Sequence, residues 1–244
     1  MDQRAHHALR RRPRRGVRAA GRRPRDATVT TLARRGPALA AVGSYRLAGG
    51  AVDLWLAPSR STEDQLATED LAELAGVTDE RARAEFTAGR AALRRVLADY
   101  PIGLGPPKLA KDGNGRPYLV NAPGWDVNLS RAGSLVAVAV ARGARIGVDI
   151  ERAVPQPRAA SLAARYFSSA DRAALAEHDL ASAEATLAWY RIWTRREAIA
   201  KATGAGLRGL AADVDGVELV ELPMPEGYVG TLAALPEVQS GRTL

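Results

Sequence analysis

Two acidic residues, Asp149 and Glu151, stand two positions apart in the segment GVDIE. Side chains at positions i and i+2 of a strand share one face, so these carboxylates would repel each other unless a cation lay between them. The chain has no cysteine, and only one of its three histidines lies beyond residue 7, which favours an ion with oxygen ligands, Mg²⁺ or Mn²⁺. The alternative is a strand end at which both acids face solvent.

A second pair, Glu197 and Lys201, lies four residues apart in a segment that predicts a helix, and therefore shares one helix face. A surface salt bridge would explain the pair and would add little stability. Lysine is rare in this chain, however, and the only examples are Lys108, Lys111 and Lys201. A compact ammonium suits a phosphate oxygen, and Glu197 could add a third carboxylate to the same ion, so the group could polarise a pyrophosphate.

Two further segments predict turns that contain an arginine. GNGRPYL carries Arg116, and NLSRAG, residues 128–133, carries Ser130 and Arg131 just before an apolar run. Arg131 and the backbone N–H groups of such a turn can bind an anion. Each segment is equally compatible with an ordinary loop.

The positive net charge belongs to one end of the chain. Residues 1–36 hold 12 Arg and 2 Asp, whereas the rest of the chain holds 23 Lys plus Arg and 25 Asp plus Glu. The N-terminal stretch has no apolar periodicity, so we expect a disordered basic extension that is either inert or binds an anionic surface. No segment reads as a secretion signal or a membrane span, and we expect a cytoplasmic protein.

The elements that must position these residues are alternating strands and helices. Apolar and capping patterns predict helices at 61–76, 78–100 and 181–204, with a shorter one in SSADRAALAEH. Strands are predicted at 50–58, in RPYLV, at 134–141, at 145–151 pairing back on the strand before it, and in GVELVEL and GYVGTLAAL. The order strand, helices, strands occurs twice, which predicts an α+β fold of two similar α/β lobes, 37–143 and 144–244.

In this order, the segments GRPYL, NLSRAG, GVDIE and WTRREAIAKATGAGL resemble the successive motifs of the 4′-phosphopantetheinyl transferases. The resemblance runs from about Val52 to about Leu235 and is closest to the large, monomeric type that activates polyketide and non-ribosomal peptide synthases. It implies two lobes related by a pseudo-twofold axis. It also implies transfer of the phosphopantetheine arm of coenzyme A to a serine of an apo acyl or peptidyl carrier protein, with release of adenosine 3′,5′-bisphosphate.

The resemblance further implies roles for single residues. It places Mg²⁺ among three acids, Asp149, Glu151 and Glu197. It gives Glu197 the additional role of base and gives Lys201 a contact with the phosphates of coenzyme A. It implies that the nucleotide is held by four residues, Arg90, Arg116, Ser130 and Arg131.

Three more positions bear on the resemblance. Trp193 matches an aromatic residue that packs the helix, and Asp171 matches an acid near the reaction centre. Arg131 stands where the family usually has His, which keeps a cation but brings a longer, forked and permanently charged group. We therefore expect an altered grip on coenzyme A and unaltered chemistry.

Two other functions would use some of the same features. A Mg²⁺-dependent nuclease could use the acids, with the basic extension on nucleic acid, but the segment after Glu151 lacks the lysine that such sites need. A non-catalytic binder of carrier proteins would not need three acids of this kind. We expect neither nucleic acid nor membrane as partner. An acidic carrier is expected to dock on segment 152–172, steered by its arginines and anchored by Leu162, Tyr166 and Phe167. The alternative is a solvated loop and helix in which Tyr166 and Phe167 belong to the core.

Overall fold

The computed structural model describes residues 39–103, 105–120, 122–179 and 182–237, and the predicted basic extension, 1–36, lies outside them. The described chain is a mixed α/β fold. Its first half contains β1 (Ala40–Leu47), β2 (Gly50–Pro58), α1 (Thr68–Leu74), α2 (Glu80–Leu97), β3 (Leu109–Lys111), β4 (Pro117–Leu119), β5 (Trp125–Ala132) and β6 (Leu135–Arg142). Its second half contains β7 (Ala144–Arg152), α3 (Ala159–Tyr166), α4 (Ser169–Ala176), α5 (Ala183–Thr203), β8 (Glu218–Glu221) and β9 (Tyr228–Pro236).

The first sheet is antiparallel, with the strand order β1-β2-β6-β5, and α2 packs on it. Helix α2 begins after Asp79, whose carboxylate accepts a hydrogen bond from the Ala82 N–H at 2.7 Å and caps the helix. The buried face of α2 meets the apolar side of the sheet in one core, formed among others by Leu93, Val96, Val127, Val136, Val138 and Val140. Burial of this apolar surface holds the helix against the sheet.

The second sheet has the order β7-β9-β8, and α5 crosses it in contact with β7 and β9. Helix α5 lies within two residues of the helix predicted at 181–204. It begins after Ser182 and ends at Gly204, whose φ of 73° is the left-handed conformation that glycine adopts at little cost. Gly147 of β7 faces the helix so closely that a Cβ there would lie 2.1 Å from the Ala198 carbonyl oxygen. Only glycine permits this approach, which brings α5 directly over β7.

Strand β7 does not pair with β6, and the predicted hairpin between these strands is wrong. β6 is hydrogen-bonded to β2 and β5, whereas β7 pairs with β9 across the whole of its length. The chain changes sheets at Gly143, which lies between the two strands with φ of 79°. The proposed division into 37–143 and 144–244 coincides with this change of sheet, but the division itself and the pseudo-twofold relation stay predictions.

The two sheets meet where β5 lies beside β7, and side chains replace the backbone ladder there. Three β5 side chains accept hydrogen bonds from successive outward N–H groups of β7: Asp126 from Ile146 at 2.8 Å, Asn128 from Val148 at 3.0 Å and Ser130 from Ile150 at 3.2 Å. We call this arrangement the side-chain ladder. It satisfies buried N–H groups that have no strand partner on that side and fixes β7 against the first sheet.

Several other elements differ from the predictions. The helix predicted at 61–76 is shorter, since α1 covers Thr68–Leu74 after a 3₁₀ turn at Glu63–Gln65. Strands β1 and β5 and helix α3 were not predicted, and the segment NLSRAG belongs mostly to β5 instead of a turn. Among the described residues, no helix combines the length and the apolarity that crossing a membrane would require.

Candidate active site

The predicted acids and lysine meet where α5 crosses β7. Lys201 directs its ammonium group across the crossing, where it donates to Asp149 Oδ1 at 2.7 Å, to Ser130 Oγ at 3.1 Å and to the Val148 carbonyl oxygen at 3.1 Å. The predicted convergence of Lys201 with the strand acids is therefore present in the fold. The lysine forms its ion pair with Asp149, so the helix-surface salt bridge considered from the spacing does not explain its position.

Asp149 is deeply buried, with 4% of its surface exposed. Its Oδ1 atom accepts from Lys201 and also from the Ser130 hydroxyl at 2.8 Å. Among the buried side-chain polar atoms of the described residues, its Oδ2 atom is the one that lacks a hydrogen-bond partner. A buried carboxylate oxygen with no partner is costly, and its presence marks a place where a further positive group would be stabilising.

Glu151 and Glu197 are half-buried neighbours of Asp149. The pKa of Glu151 is raised to about 7, mainly by burial and also by the charges of Asp149 and Glu197, against the opposing effects of Lys201 and a hydrogen bond with Trp193. The pKa of Glu197 is also raised, first by burial and then by the charge of Asp149. The three carboxylates therefore repel one another, and a single lysine does not neutralise them.

The donor set of this group fits a hard divalent cation. Three carboxylates offer oxygen ligands of the kind that Mg²⁺ prefers, and one buried oxygen has no other partner. As the described residues stand, no three acidic or histidine side chains converge closely enough to form a finished metal cluster. Mg²⁺ binding by Asp149, Glu151 and Glu197 thus stays a prediction, supported by the charges and by the unpartnered oxygen.

A cleft of about 500 Å³ opens beside Glu197 and Lys201, between α2, the β3–β4 turn, β5 and the end of α5. Five cations line it: Arg90, Arg116, Arg131, Lys111 and Lys201. Four of these are residues assigned to coenzyme A from the sequence. A positively charged cleft of this size suits an anionic ligand such as a nucleotide with several phosphates.

The predicted nucleotide residues have different contacts, and three of them, Arg90, Arg116 and Arg131, line this cleft. Arg116 forms an ion pair with Asp126 at 2.5 Å and donates to the carbonyl oxygens of Lys201 and Ile146, so it also ties α5 to both sheets. Ser130 is a buried strand residue bonded to Asp149, not a residue of a loop as predicted. Arg131 reaches back to the Glu85 carbonyl oxygen on α2.

Sequence reasoning missed two side chains of the first half that shape the cleft. Phe86 on α2 lines it, and Glu73 on α1 forms ion pairs with the cleft residues Arg90 and Lys111. The rarity of lysine could have singled out Lys111 as it singled out Lys201. Glu73 has no such signal, because its partners are distant in sequence.

Asp171 lies outside the cleft lining and clamps α4 to α5. Its carboxylate forms ion pairs with Arg195 and Arg196, and Arg196 is itself buried and donates to the Leu210 carbonyl oxygen at 3.0 Å. Burial alone would raise the pKa of Asp171, but the Arg196 hydrogen bond and the charges of both arginines overcome this effect and lower it. Asp171 therefore orients the part of α5 that carries Glu197.

An aromatic cluster lies on the other side of the acids. Trp193 stacks on Trp189, with ring centroids 5.3 Å apart, and Phe167 packs against Trp189 within the same buried cluster. Phe167 is 4% exposed, so its predicted role as an exposed anchor is wrong. Next to this cluster, an apolar groove of about 540 Å³ runs between α3, α4 and α5, lined among others by Pro155, Pro157, Ala160, Leu175, Trp189 and Tyr190.

Comparison with known proteins identifies relatives of this chain. The profile of the 4′-phosphopantetheinyl transferase superfamily matches residues 145–239. The 4′-phosphopantetheinyl transferase HetI of Nostoc sp. is 32% identical over 198 residues, which are 75% of this chain and 79% of HetI. AcpT of Salmonella typhimurium, another 4′-phosphopantetheinyl transferase, is 36% identical over 124 residues, 50% of this chain and 59% of AcpT. The 4′-phosphopantetheinyl transferase psf-1 of Bacillus pumilus is 30% identical over 142 residues, 55% of this chain and 59% of psf-1.

Proposed function

This chain belongs to the 4′-phosphopantetheinyl transferase superfamily and is a transferase of the phosphopantetheine group, and from that premise we propose its donor, acceptor and metal. The donor is coenzyme A, and the acceptor is a serine hydroxyl of an apo acyl or peptidyl carrier protein. The reaction releases adenosine 3′,5′-bisphosphate and depends on Mg²⁺. The observation that carries the proposal is the ion pair of Lys201 with the buried Asp149 beside a cationic cleft, with Glu151 and Glu197 near enough to Asp149 for their charges to interact.

Each residue group has a part in this reaction. The cleft cations bind the nucleotide end of coenzyme A, which brings its pyrophosphate next to Glu197 and Lys201. Asp149, Glu151 and Glu197 would hold Mg²⁺, which supplies positive charge that polarises the pyrophosphate. Lys201, freed from one of its three hydrogen bonds, donates to a phosphate oxygen as a point charge.

The group transfer breaks one bond to phosphorus and forms another. The carrier serine oxygen attacks the phosphorus that bears the pantetheine arm, and Glu197 accepts the proton of that hydroxyl, directly or through water. The bond from this phosphorus to the oxygen of the leaving adenosine 3′,5′-bisphosphate breaks, and its electron pair stays on that oxygen. Lys201 lies where it can stabilise the charge that develops there.

The carrier protein is proposed to approach from the second half of the chain, across the apolar groove. The segment from the end of β7 to α4 contains four exposed arginines: Arg152, Arg158, Arg165 and Arg172. The groove reaches Tyr190, whose pKa is raised by burial and by the charge of Glu151, so the groove lies close to the acids. An acidic carrier could therefore be steered by the arginines and place its serine next to the reacting phosphate.

The proposal is tested by incubating the full chain with coenzyme A, Mg²⁺ and a panel of apo carrier proteins, followed by intact-mass measurement of each carrier. The expected result is the mass gain of one phosphopantetheine arm, lost when the carrier serine is changed to alanine or when a chelator removes the metal. When Glu197 is replaced by glutamine in this assay, Glu184→Gln is the matched control, because Glu184 is an exposed glutamate at the start of the same helix. Absence of any gain with folded protein would refute the proposed acceptor.

The metal has a test that does not depend on turnover. Trp193 contacts Glu151 and stacks on Trp189, so ion binding at the acids should change the intrinsic tryptophan fluorescence. Titration with Mg²⁺ should give a saturable change in the unaltered chain and a much weaker affinity in Asp149→Ala. An identical titration in both proteins would mean that Asp149 holds no metal.

A further inference from the structure

The carboxylate of Glu73 bridges two cations of the cleft that come from different elements. Its Oε2 accepts a hydrogen bond from Arg90 Nη2 at 2.9 Å, and its Oε1 accepts one from Lys111 Nζ. Arg90 belongs to α2 and Lys111 to β3, and both side chains line the cleft. One anionic group of the protein itself thus lies between these cations.

Both cations also rest on one aromatic ring, that of Phe86. The Arg90 guanidinium carbon lies 5.2 Å from the ring centroid, and the Lys111 ammonium lies 5.5 Å from it. Cation–π attraction of this kind holds both groups over the ring whether or not the carboxylate is present. Arg90 and Lys111 would therefore keep their positions if Glu73 turned away.

Arg90 has a second acidic partner that differs from Glu73 in its burial. Asp70 Oδ1 lies 3.3 Å from Arg90 Nε, and the Asp70 side chain is 3% exposed, whereas that of Glu73 is 35% exposed. Asp70 cannot leave without stranding a buried charge, which makes it the permanent partner. Glu73 can rotate into solvent at small cost, because it already contacts water.

We propose that the Glu73 carboxylate holds the position of a phosphate monoester group of the substrate and sets substrate affinity by competing with that phosphate for Arg90 and Lys111. A phosphate makes the same charge-assisted hydrogen bonds as a carboxylate and carries a larger negative charge, so it displaces Glu73 when it arrives as part of a well-held ligand. The identity of the ligand as coenzyme A rests on the proposed function, but the competition for an anion does not.

The direct test measures the affinity of the full chain for inorganic phosphate and for adenosine 3′,5′-bisphosphate by titration calorimetry. Glu73→Gln should bind both about fivefold more tightly, since the partly exposed ion pairs that compete are worth up to about 1 kcal/mol. Glu69→Gln is the matched control. Glu69 lies on the same helix, is 70% exposed and has its ion pair with Arg94 at 3.9 Å, so the same loss of charge there should change affinity by less than about twofold.

A double-mutant cycle locates the effect at Lys111. Lys111→Met should weaken phosphate binding, and most of the gain from Glu73→Gln should vanish in the Lys111→Met background, since the competition acts through this ammonium. Thermal unfolding of each variant shows whether it is folded. Equal gains in Glu73→Gln and Glu69→Gln would mean that only net charge matters, and weaker binding in Glu73→Gln would mean that Glu73 positions the cations; either result overturns the proposal.

Transfer of the arm to a carrier and competition of Glu73 with phosphate can be refuted separately. If no carrier gains the arm but phosphate affinity changes as expected, the proposed function is wrong and the competing carboxylate stands. If carriers gain the arm and the phosphate affinity of Glu73→Gln is unchanged, only the competition is wrong.

Discussion

The substitution Gly147→Ala tests whether the close contact of α5 with β7 sets the geometry of the candidate site. The new Cβ would lie 2.1 Å from the Ala198 carbonyl oxygen, 2.5 Å from the Ala202 nitrogen and 2.9 Å from the Lys201 Cβ. Real Cβ contacts essentially never fall under 3.0 Å, so the helix would have to move from the strand by about 0.9 Å. Two of the three contacts are with backbone atoms, which cannot rotate away.

This displacement predicts two separate losses. Overpacking of a tight core contact costs about 1–3 kcal/mol, and the upper end applies here because backbone atoms clash. Glu197 and Lys201 would move with α5 while Asp149 stayed on β7, and a misplacement of about 1 Å can cost about 10²-fold in rate. We therefore expect unfolding in denaturant to lose about 3 kcal/mol, and transfer of the arm at saturating substrates to fall about a hundredfold.

The assay pairs a denaturant titration with the carrier mass assay, at a temperature where the variant is folded. Gly76→Ala is the control, since a Cβ there would meet only the Glu73 carbonyl oxygen, at an ordinary 3.6 Å. The control should match the unaltered chain in both measurements. If Gly147→Ala were as stable and as active as the control, the helix would not lie on β7 as described; if only stability fell, the spacing of α5 and β7 would not govern catalysis.

Three further predictions concern the clamp, the base and the carrier. Asp171→Asn should destabilise the fold by about 3 kcal/mol at neutral pH, because the buried Arg196 then keeps only the exposed Asp213 as an acidic partner. Since the pKa of Asp171 is lowered in the folded state, this difference should shrink as denaturation is repeated at pH values falling below about 4. Glu197→Gln should abolish transfer and leave the melting temperature unchanged or higher, since a half-buried charge that is repelled by Asp149 is removed; retained turnover would exclude Glu197 as base. Arg158→Glu combined with Arg165→Glu should raise the Michaelis constant for the carrier and reduce its salt dependence, and a raised constant for coenzyme A instead would place these arginines at the nucleotide.

Elements whose ends and faces are encoded locally could be predicted from the sequence. Helix α5 lies within two residues of the helix predicted at 181–204, and Gly204 ends it. The strands at 50–58 and 134–141 were predicted from their apolar residues, which pack into cores on both faces of the first sheet. In each case, the residues that decide the structure are neighbours in the chain.

Strand β5 escaped prediction for a physical reason. Its alternate residues Asp126, Asn128 and Ser130 are short and polar, a composition typical of turns. In the fold, these side chains face the backbone N–H groups of β7 and not a core, so their polarity is required in a strand. The pairing of β7 with β9 was missed similarly, because adjacency in the chain favours a hairpin while the register joins strands about 80 residues apart.

In the candidate site too, some residues could be predicted from local motifs and others come together only through the packing of distant elements. Asp149, Glu197 and Lys201 lie in two short motifs whose composition is unusual, and the fold brings them together. Glu73 reaches the cleft from α1, and Asp171 meets its arginines 24 and 25 residues along the chain. Such pairs depend on how distant elements pack, which no local pattern encodes.

The side-chain ladder limits how the sequence of β5 can vary over evolution. On one face, Val127 and Leu129 pack in the first core, and on the other face the polar residues pair with β7. An apolar replacement of one of the polar residues would leave a β7 N–H group buried and unpaired, which costs about 1–3 kcal/mol for each donor. Only other short side chains with an oxygen acceptor can therefore replace the polar residues without loss of stability, whereas Val127 and Leu129 can be replaced by other aliphatic residues. Alternate positions of β5 therefore accept different residue types during evolution: one set is restricted by the core of its own sheet, and the other by the backbone of the second sheet.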